Sequence, residues 1–162
     1  MEIRKTKSEE LQDILPIFEI AKAFMVKTGN PNQWTATYPS TDMIEKDIAN
    51  GASYVCVQEG EIVATFAYSE AGEETYRSID GKWLNDKPYG VIHRVASSGK
   101  VKGVFSCIAE WAWKQNKNLK IDTHRDNKVM QRVILKNEFT YCGIIHLKNG
   151  DERLAYQKAE KE

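Results

Sequence analysis

Tyr89-Gly-Val-Ile-His-Arg-Val-Ala-Ser97, continuing as Ser98-Gly-Lys-Val-Lys-Gly103-Val-Phe-Ser106, decides the fold. Its first half is rich in β-branched and aromatic residues and predicts a buried strand; Ser98, Gly99 and Gly103 then mark a sharp loop opening into an apolar-striped helix. A strand–turn–helix junction aims unpaired backbone N–H groups and the positive end of a helix dipole at one spot, and Lys100 and Lys102 add charge beside it. The natural occupant is an anion, and a phosphate fits best. The lysines do not stand in the G-x-x-x-x-G-K-[ST] frame and no G-x-G-x-x-G is present, so neither a nucleoside triphosphate nor a dinucleotide loop is indicated.

Upstream of this stretch, Ile3 to Thr6 predicts a first strand, and Thr6-Lys7-Ser8-Glu9 fits a capping box. The helix it opens carries Leu11, Ile14, Leu15, Phe18, Ala21 and Met25 on one face, with a kink or break expected at Pro16. Gly29-Asn30-Pro31 ends it, and a loop follows that holds Trp34 and Tyr38 outside any helical or alternating pattern. Ser40 or Thr41 caps a short helix bearing Ile44 and Ile48, stopped by Gly51. A hairpin joins strands 53–58 and 61–68 through Glu59-Gly60, and residues 69–88, with Trp83, read as a loop.

Downstream, Gly103 to Asn116 predicts a helix with Val104, Ile108, Trp111 and Ala112 on its apolar stripe. A strand over 118–124 follows, then a helix capped by Asp126 and bearing Val129, Met130, Val133 and Ile134. Strands 140–147 and 152–158 close through Asn149-Gly150, a strong hairpin signal. The order β-α-α-β-β-β-α-β-α-β-β is a mixed α/β (α+β) fold, a mostly antiparallel sheet of about seven strands flanked by four helices.

The 162 residues suit a single domain over 1–162, and 23 basic against 23 acidic side chains give no net charge that would favour nucleic acid. Cys56, Cys107 and Cys142 are odd in number, widely spaced and set in apolar runs, which suits free thiols in a reducing compartment and argues against a metal site. Met1-Glu2-Ile3-Arg4 does not open a signal peptide and no apolar run approaches the ~20 residues of a membrane span, so a soluble, cytoplasmic protein is expected. The oligomeric state stays open, a homodimer included.

Two motifs resemble the GNAT superfamily of acetyl-CoA-dependent N-acetyltransferases. Lys100-Val101-Lys102-Gly103-Val104-Phe105 is similar to its pyrophosphate loop, [Q/R]-x-x-G-x-[G/A], with Lys100 in place of Gln/Arg and Phe105 in place of Gly/Ala. Asn127-x-x-Met130-x-x-Val133-Ile134-x-x-x-Glu138-Phe139 follows the family's N-x-x-A-x-x-L-Y-x-x-x-G-F in register. The resemblance implies a sheet splayed between its fourth and fifth strands, here Tyr89–Ser97 and Asn118–His124, with acetyl-CoA as cofactor and its pantetheine arm in the opening. It implies that Val95, Ala96 and Ser97 hydrogen-bond that arm as an added strand would. Lys100 and the backbone of Val101, Lys102, Gly103, Val104, Phe105 and Ser106 would then hold the pyrophosphate, and Asn127 the arm, unless Asn127 only shares the helix cap. The implied activity is acetyl transfer to a primary amine, in a small molecule or a peptide, by direct attack in a ternary complex. The competing reading is a GNAT-fold module that binds an acyl-CoA without chemistry. Ile134 supports it, because the family often has there a Tyr that reprotonates the leaving thiolate.

Aminolysis of a thioester needs a neutral amine and hence a proton acceptor. His93, on the strand that would flank the opening, is the first candidate, and a His at the equivalent position serves as base within the family; the competing reading is a hydrogen-bonded core imidazole. Alternation places His93, Val95 and Ser97 on one face, Arg94 and Ala96 on the other. His124 is the second candidate for the base, His146 looks structural, and Tyr141 could supply the acid missing at Ile134. Trp34, Tyr38 and Trp83, in the irregular loops, are candidates for an aromatic wall around the acceptor amine, against the alternative that they anchor those loops.

Overall fold

The computed structural model describes residues 1–161. The decisive stretch forms strand β5 (Gly90–Ser97), a loop, and helix α3 (Val104–Gln115), with Gly103 as the left-handed cap at φ 75°. Around it lie β1 (Glu2–Lys5), α1 (Leu11–Lys27), α2 (Thr41–Ala49), β2 (Ser53–Gln58), β3 (Glu61–Ser69) and β4 (Asp80–Gly81). Downstream come β6 (Asn118–Thr123), α4 (Lys128–Lys136), β7 (Thr140–His146) and β8 (Glu152–Ala159). One sheet runs β1-β2-β3-β5-β6-β8-β7-β4, antiparallel everywhere except between β5 and β6.

The sheet thus has eight strands where about seven were expected. The extra one, β4, lies within the 69–88 segment read as a loop. It docks on β7 because Gly81 and Gly143 face each other: a Cβ on either would collide with the opposite backbone. Helix α1 runs through Pro16 without the expected break, since proline forfeits one i−4 bond while Ile14, Ile17, Phe18 and Ala21 still bury a full stripe. The capping contact lies one residue later than the motif suggested. Glu10 accepts from the Lys7 N–H at 2.8 Å, while the Thr6 hydroxyl is committed to Ser53. The α4 cap is Asn127, not Asp126.

Apolar faces cover the sheet on both sides. Ile108, Ala109 and Ala112 of α3 and Ile134 of α4 pack with Phe66, Ile92, Leu119, Ile121 and Tyr156. Ile14, Ile17, Phe18 and Ile44 of α1 and α2 pack with Val55, Ala96 and Trp34. Tyr76 gathers Val91, Ile145 and Ala155 beneath the 69–88 loop.

Two features of β5 shape the space beside it. The strand pairs with β6 only at Gly90↔Leu119 and Val91↔Lys120, so the two part from Ile92 onward and the sheet opens, as the resemblance implied. Against β3 its register slips between Thr65 and Ala67, and Arg94 in this bulge takes φ 51°.

Candidate active site

The opening between β5 and β6 widens into a cavity of about 500 Å³ whose walls include Trp34, Tyr38, His93, Arg94, Asp122 and Arg153. Strict alternation would send His93 and Arg94 to opposite faces. The bulge brings both to the α2 side, where Arg94 forks onto Asp47 at 2.9 and 2.8 Å and also reaches the Tyr38 hydroxyl at 3.4 Å. Val95 packs instead against the α3 cluster, so the predicted His93–Val95–Ser97 face does not form.

His93 Nε2 stands 3.6 Å from Glu73 Oε2, too long for a hydrogen bond but close enough to feel its charge. Glu73 is held by the Thr75 N–H and hydroxyl, and its own N–H donates to the Tyr89 hydroxyl. Burial, with Arg94 beside it, pushes His93 down to about 4 although Glu73 pulls the other way. His93 is therefore neutral at neutral pH. Asp122, on β6, accepts from the buried Tyr76 hydroxyl at 2.6 Å, and burial raises its carboxyl above the ordinary range.

On the opposite side of the sheet, the first intrahelical bond of α3 runs from the Cys107 N–H to the Gly103 carbonyl at 3.2 Å. Ahead of it, the N–H groups of Val101, Lys102, Gly103, Val104, Phe105 and Ser106 have no partner among the described residues. Val104 and Phe105 turn their side chains into the core, and Gly103 is exposed with open space where a Cβ would stand. Ser106 accepts from Asn137 and ties α3 to α4. Lys100 reaches Glu61 at 2.7 Å, while Lys102 is exposed. On β5, the bond from the Ser98 N–H to the Val63 carbonyl sets the ladder phase, which turns the N–H and carbonyl of Ser97 away from β3 toward the opening. Ala96 is buried against α1 and α2. Asn127 lines the cavity, with its Oδ1 capping the Met130 N–H and its Nδ2 donating to Gln33 at 2.9 Å.

Three of the catalytic and acceptor-binding candidates fall outside the cavity. His124 accepts the Asp126 N–H on Nδ1 at 3.0 Å, which fixes a neutral ring, and burial lowers it further. Tyr141 is half exposed on β7, edge-on to Tyr156 and separated from β5 by β8 and β6. Trp83 packs on Tyr76, donates to its carbonyl at 2.9 Å and, with Tyr89, sandwiches Lys120 at 4.0 and 3.9 Å, so it anchors its loop. Trp34 and Tyr38 do line the cavity, in ring contact with each other. Glu73, Arg94, Asp122, Gln33 and Arg153 were not singled out from the sequence. The only available signal was Arg94 beside His93, and alternation concealed it.

Among the described residues no group of His, Cys, Asp or Glu could hold a metal, and no helix is long and apolar enough to cross a membrane. No family model matches the sequence, nor does any of the curated proteins. Solved structures do. A GNAT-family acetyltransferase from Streptococcus agalactiae is 32% identical over 99% of this chain and 96% of that one, with a TM-score of 0.89. A ribosomal-protein-alanine N-acetyltransferase from Brucella melitensis shares the fold at 17% identity, covering 99% of this chain and 100% of that one, with a TM-score of 0.62. So does the GNAT-like decarboxylase GphF, solved with isobutyryl-CoA, at 13% identity, 98% and 99% coverage and a TM-score of 0.66. With the parted β5–β6 pair, the open N-terminus of α3 and a relative this similar along nearly its whole length, the chain belongs to the GNAT family of acetyltransferases.

Proposed function

We propose that this protein transfers acetyl from acetyl-CoA to a primary amine by direct attack within a ternary complex. The observation that carries the proposal is the parting of β5 from β6 after two paired residues, beside six N–H groups at the start of α3, Val101 to Ser106, without partners among the described residues. Those N–H groups suit a pyrophosphate, and the outward-turned Ser97 backbone suits a pantetheine amide lying along β5. The thioester would then enter the opening from the α3 side and meet the amine near His93 and Glu73.

The amine lone pair attacks the thioester carbonyl carbon, the C–S bond breaks, and the amine proton leaves to neutral His93 or, through it, to water. The departing thiolate needs no dedicated acid. A thiol of ordinary pKa, about 8.5, is a tolerable leaving group near neutrality. This answers the fully buried Ile134 at the usual Tyr position and the placement of Tyr141 outside the cavity. Cys56, Cys107 and Cys142 are all free thiols, which suits a cytoplasmic protein, and none lines the cavity, so no acyl-cysteine is invoked.

Calorimetry with CoA and acetyl-CoA, followed by thiol release over a panel of amines, tests the reading. Amine-dependent CoA release is expected. Tight CoA binding with no amine accelerating release would make the protein an acyl-CoA-binding module instead.

A further inference from the structure

The far end of the cavity carries two groups that acetyl transfer to a bare amine does not explain. Arg153, on β8, is only 6% exposed, yet it makes no ion pair among the described residues. Its guanidinium donates to two backbone carbonyls, Glu152 at 2.8 Å and Gln33 at 3.3 Å. The acidic side chains lining the same cavity are otherwise arranged: Asp122 accepts from Tyr76, Glu73 faces His93, and Asp151 is exposed with Asn149 donating to it. Asp122 feels the Arg153 charge, yet among the described residues no carboxylate contacts the buried guanidinium, whose fork matches one.

Beside it, Gln33 is locked. Its Oε1 receives Asn30 Nδ2 at 2.9 Å, Asn127 Nδ2 at 2.9 Å, the Thr123 hydroxyl at 3.3 Å and the His124 N–H at 3.4 Å. Two of these donors forbid an amide flip: the His124 N–H can only donate, and Asn127 Nδ2 is fixed by the Met130 N–H on its Oδ1, so a reversed Gln33 amide would face N–H against N–H. The Nε2 group therefore has a fixed direction. Gln33 lines the cavity, its Nε2 has no partner among the described residues, and that nitrogen is not among the buried unpaired atoms, so its two N–H donors are open to an occupant.

Resting on the transferase reading above, we propose that the acceptor amine carries a carboxylate, held by Arg153 and Gln33 Nε2 while its amino group faces His93 and Glu73. Arg153, Asp122, Glu73 and His93 share the sheet face opposite α3 and α4, so the carboxylate lies on the acceptor side and leaves the thioester path clear. The substrate class is an aminocarboxylate: an amino acid, or a short peptide with both termini free. Gln33 and Arg153 are specificity-determining residues.

The test uses the full chain with acetyl-CoA and a matched series: glycine, β-alanine, γ-aminobutyrate, ε-aminocaproate, L-phenylalanine and a dipeptide, each beside its carboxamide. At least one acid is expected to exceed its amide in kcat/KM by about ten- to a hundredfold, the scale of a hydrogen-bonded charge. Gln33→Glu keeps the oxygen that the His124 N–H and Asn127 Nδ2 require and puts a negative atom where Nε2 was. It should erase that preference, or turn it toward the amide, with acetyl-CoA KM unchanged. Arg153→Lys, the riskier variant for folding, should raise the acid's KM at least as much. Equal rates for every acid–amide pair with wild-type protein overturn this inference and leave the transferase intact, as does an unchanged preference in Gln33→Glu. If no amine reacts, calorimetry of the same acids against the CoA complex decides. Binding that Gln33→Glu abolishes supports the carboxylate site without the chemistry, and no binding by any acid overturns it.

Discussion

Arg94→Ala tests whether the β5 bulge is built as described. The side chain is mostly buried and forks onto Asp47, itself mostly buried, and the residue sits at φ 51° in a register slip against β3. Removing one partner of a buried pair costs on the order of 3–5 kcal/mol, and the remaining solvent contact of both groups places Arg94→Ala at the lower end, about 3 kcal/mol. Alanine keeps a Cβ in a left-handed conformation, which costs roughly 1–2 kcal/mol that glycine avoids. Arg94→Gly should therefore be the milder change, by about 1 kcal/mol, although it loses the same ion pair. For a domain of this size each kcal/mol moves Tm by roughly 2–4 °C, so the alanine variant should melt roughly 6–12 °C lower. Urea denaturation with an unchanged m-value gives the comparison directly. Removing the guanidinium also removes a positive neighbour of His93, so an NMR titration should find the imidazole more basic in both variants. A glycine variant no more stable than the alanine one refutes the left-handed bulge, and losses under ~1 kcal/mol in both refute the ion pair as its anchor.

Gly103→Asp adds charge at φ 75° in open space, so the fold should persist while the CoA-induced rise in Tm disappears; a retained shift assigns the phosphates elsewhere. His93→Gln should lower turnover by roughly 10²–10⁴-fold with acetyl-CoA affinity intact, and wild-type turnover would remove His93 from the chemistry. The same residue sets a pH dependence of stability. Its folded pKa, about 4, lies below the unfolded 6.5, so the unfolded chain binds the proton first and stability is lost as pH falls through that window, by no more than about 3 kcal/mol; the His93→Gln variant should show a flattened limb in acid titrations. Trp34→Ala should raise the acceptor KM, leave acetyl-CoA KM alone and, because the ring is also buried against Phe18, cost stability, about 3–5 kcal/mol, whereas Trp83→Ala, at a half-buried ring, should cost less stability with little change in either KM.

How far the sequence could be read depends on which forces were local. The β5–loop–α3 junction was legible because strand propensity, Gly103 and an apolar helical stripe agree within eighteen consecutive residues. The β7–β8 hairpin announced itself through Asn149-Gly150. The β4 strand did not, because it depends on Gly81 meeting Gly143 across more than sixty residues, a long-range fit that no window contains. The same applies to the site. His93, Trp34 and Tyr38 stood out as residue types in telling places, and they do line one cavity. Their polar partners were silent: Glu73 lies in an irregular loop, and Arg94 was assigned to the wrong face because alternation assumes a regular strand. Gln33 becomes notable only when Thr123, His124 and Asn127 converge on it from a distant segment. Trp83 misled for the converse reason, since its aperiodic position reflects a Lys120 sandwich formed by tertiary packing.

In the proposed mechanism a base pushed down to about 4 looks ill-suited to strip an alkylammonium of ordinary pKa near 10, but the surroundings of His93 act on both partners. The environment that weakens His93, burial and the Arg94 guanidinium, acts on a bound ammonium in the same sense, so the amine entering the cavity is itself driven toward its neutral, nucleophilic form. Proton removal then shifts to the moment of bond formation. Once nitrogen has attacked the carbonyl carbon, its N–H is far more acidic than in the free ammonium, and a neutral imidazole is a competent acceptor. Glu73, 3.6 Å from Nε2, stabilises the imidazolium at that point and only then. In the proposed mechanism the pair is therefore matched to the transition state. Glu73→Gln should lower kcat while barely moving acceptor KM, whereas a Glu73 that merely attracts the incoming ammonium would, when neutralised, raise KM and leave kcat in place.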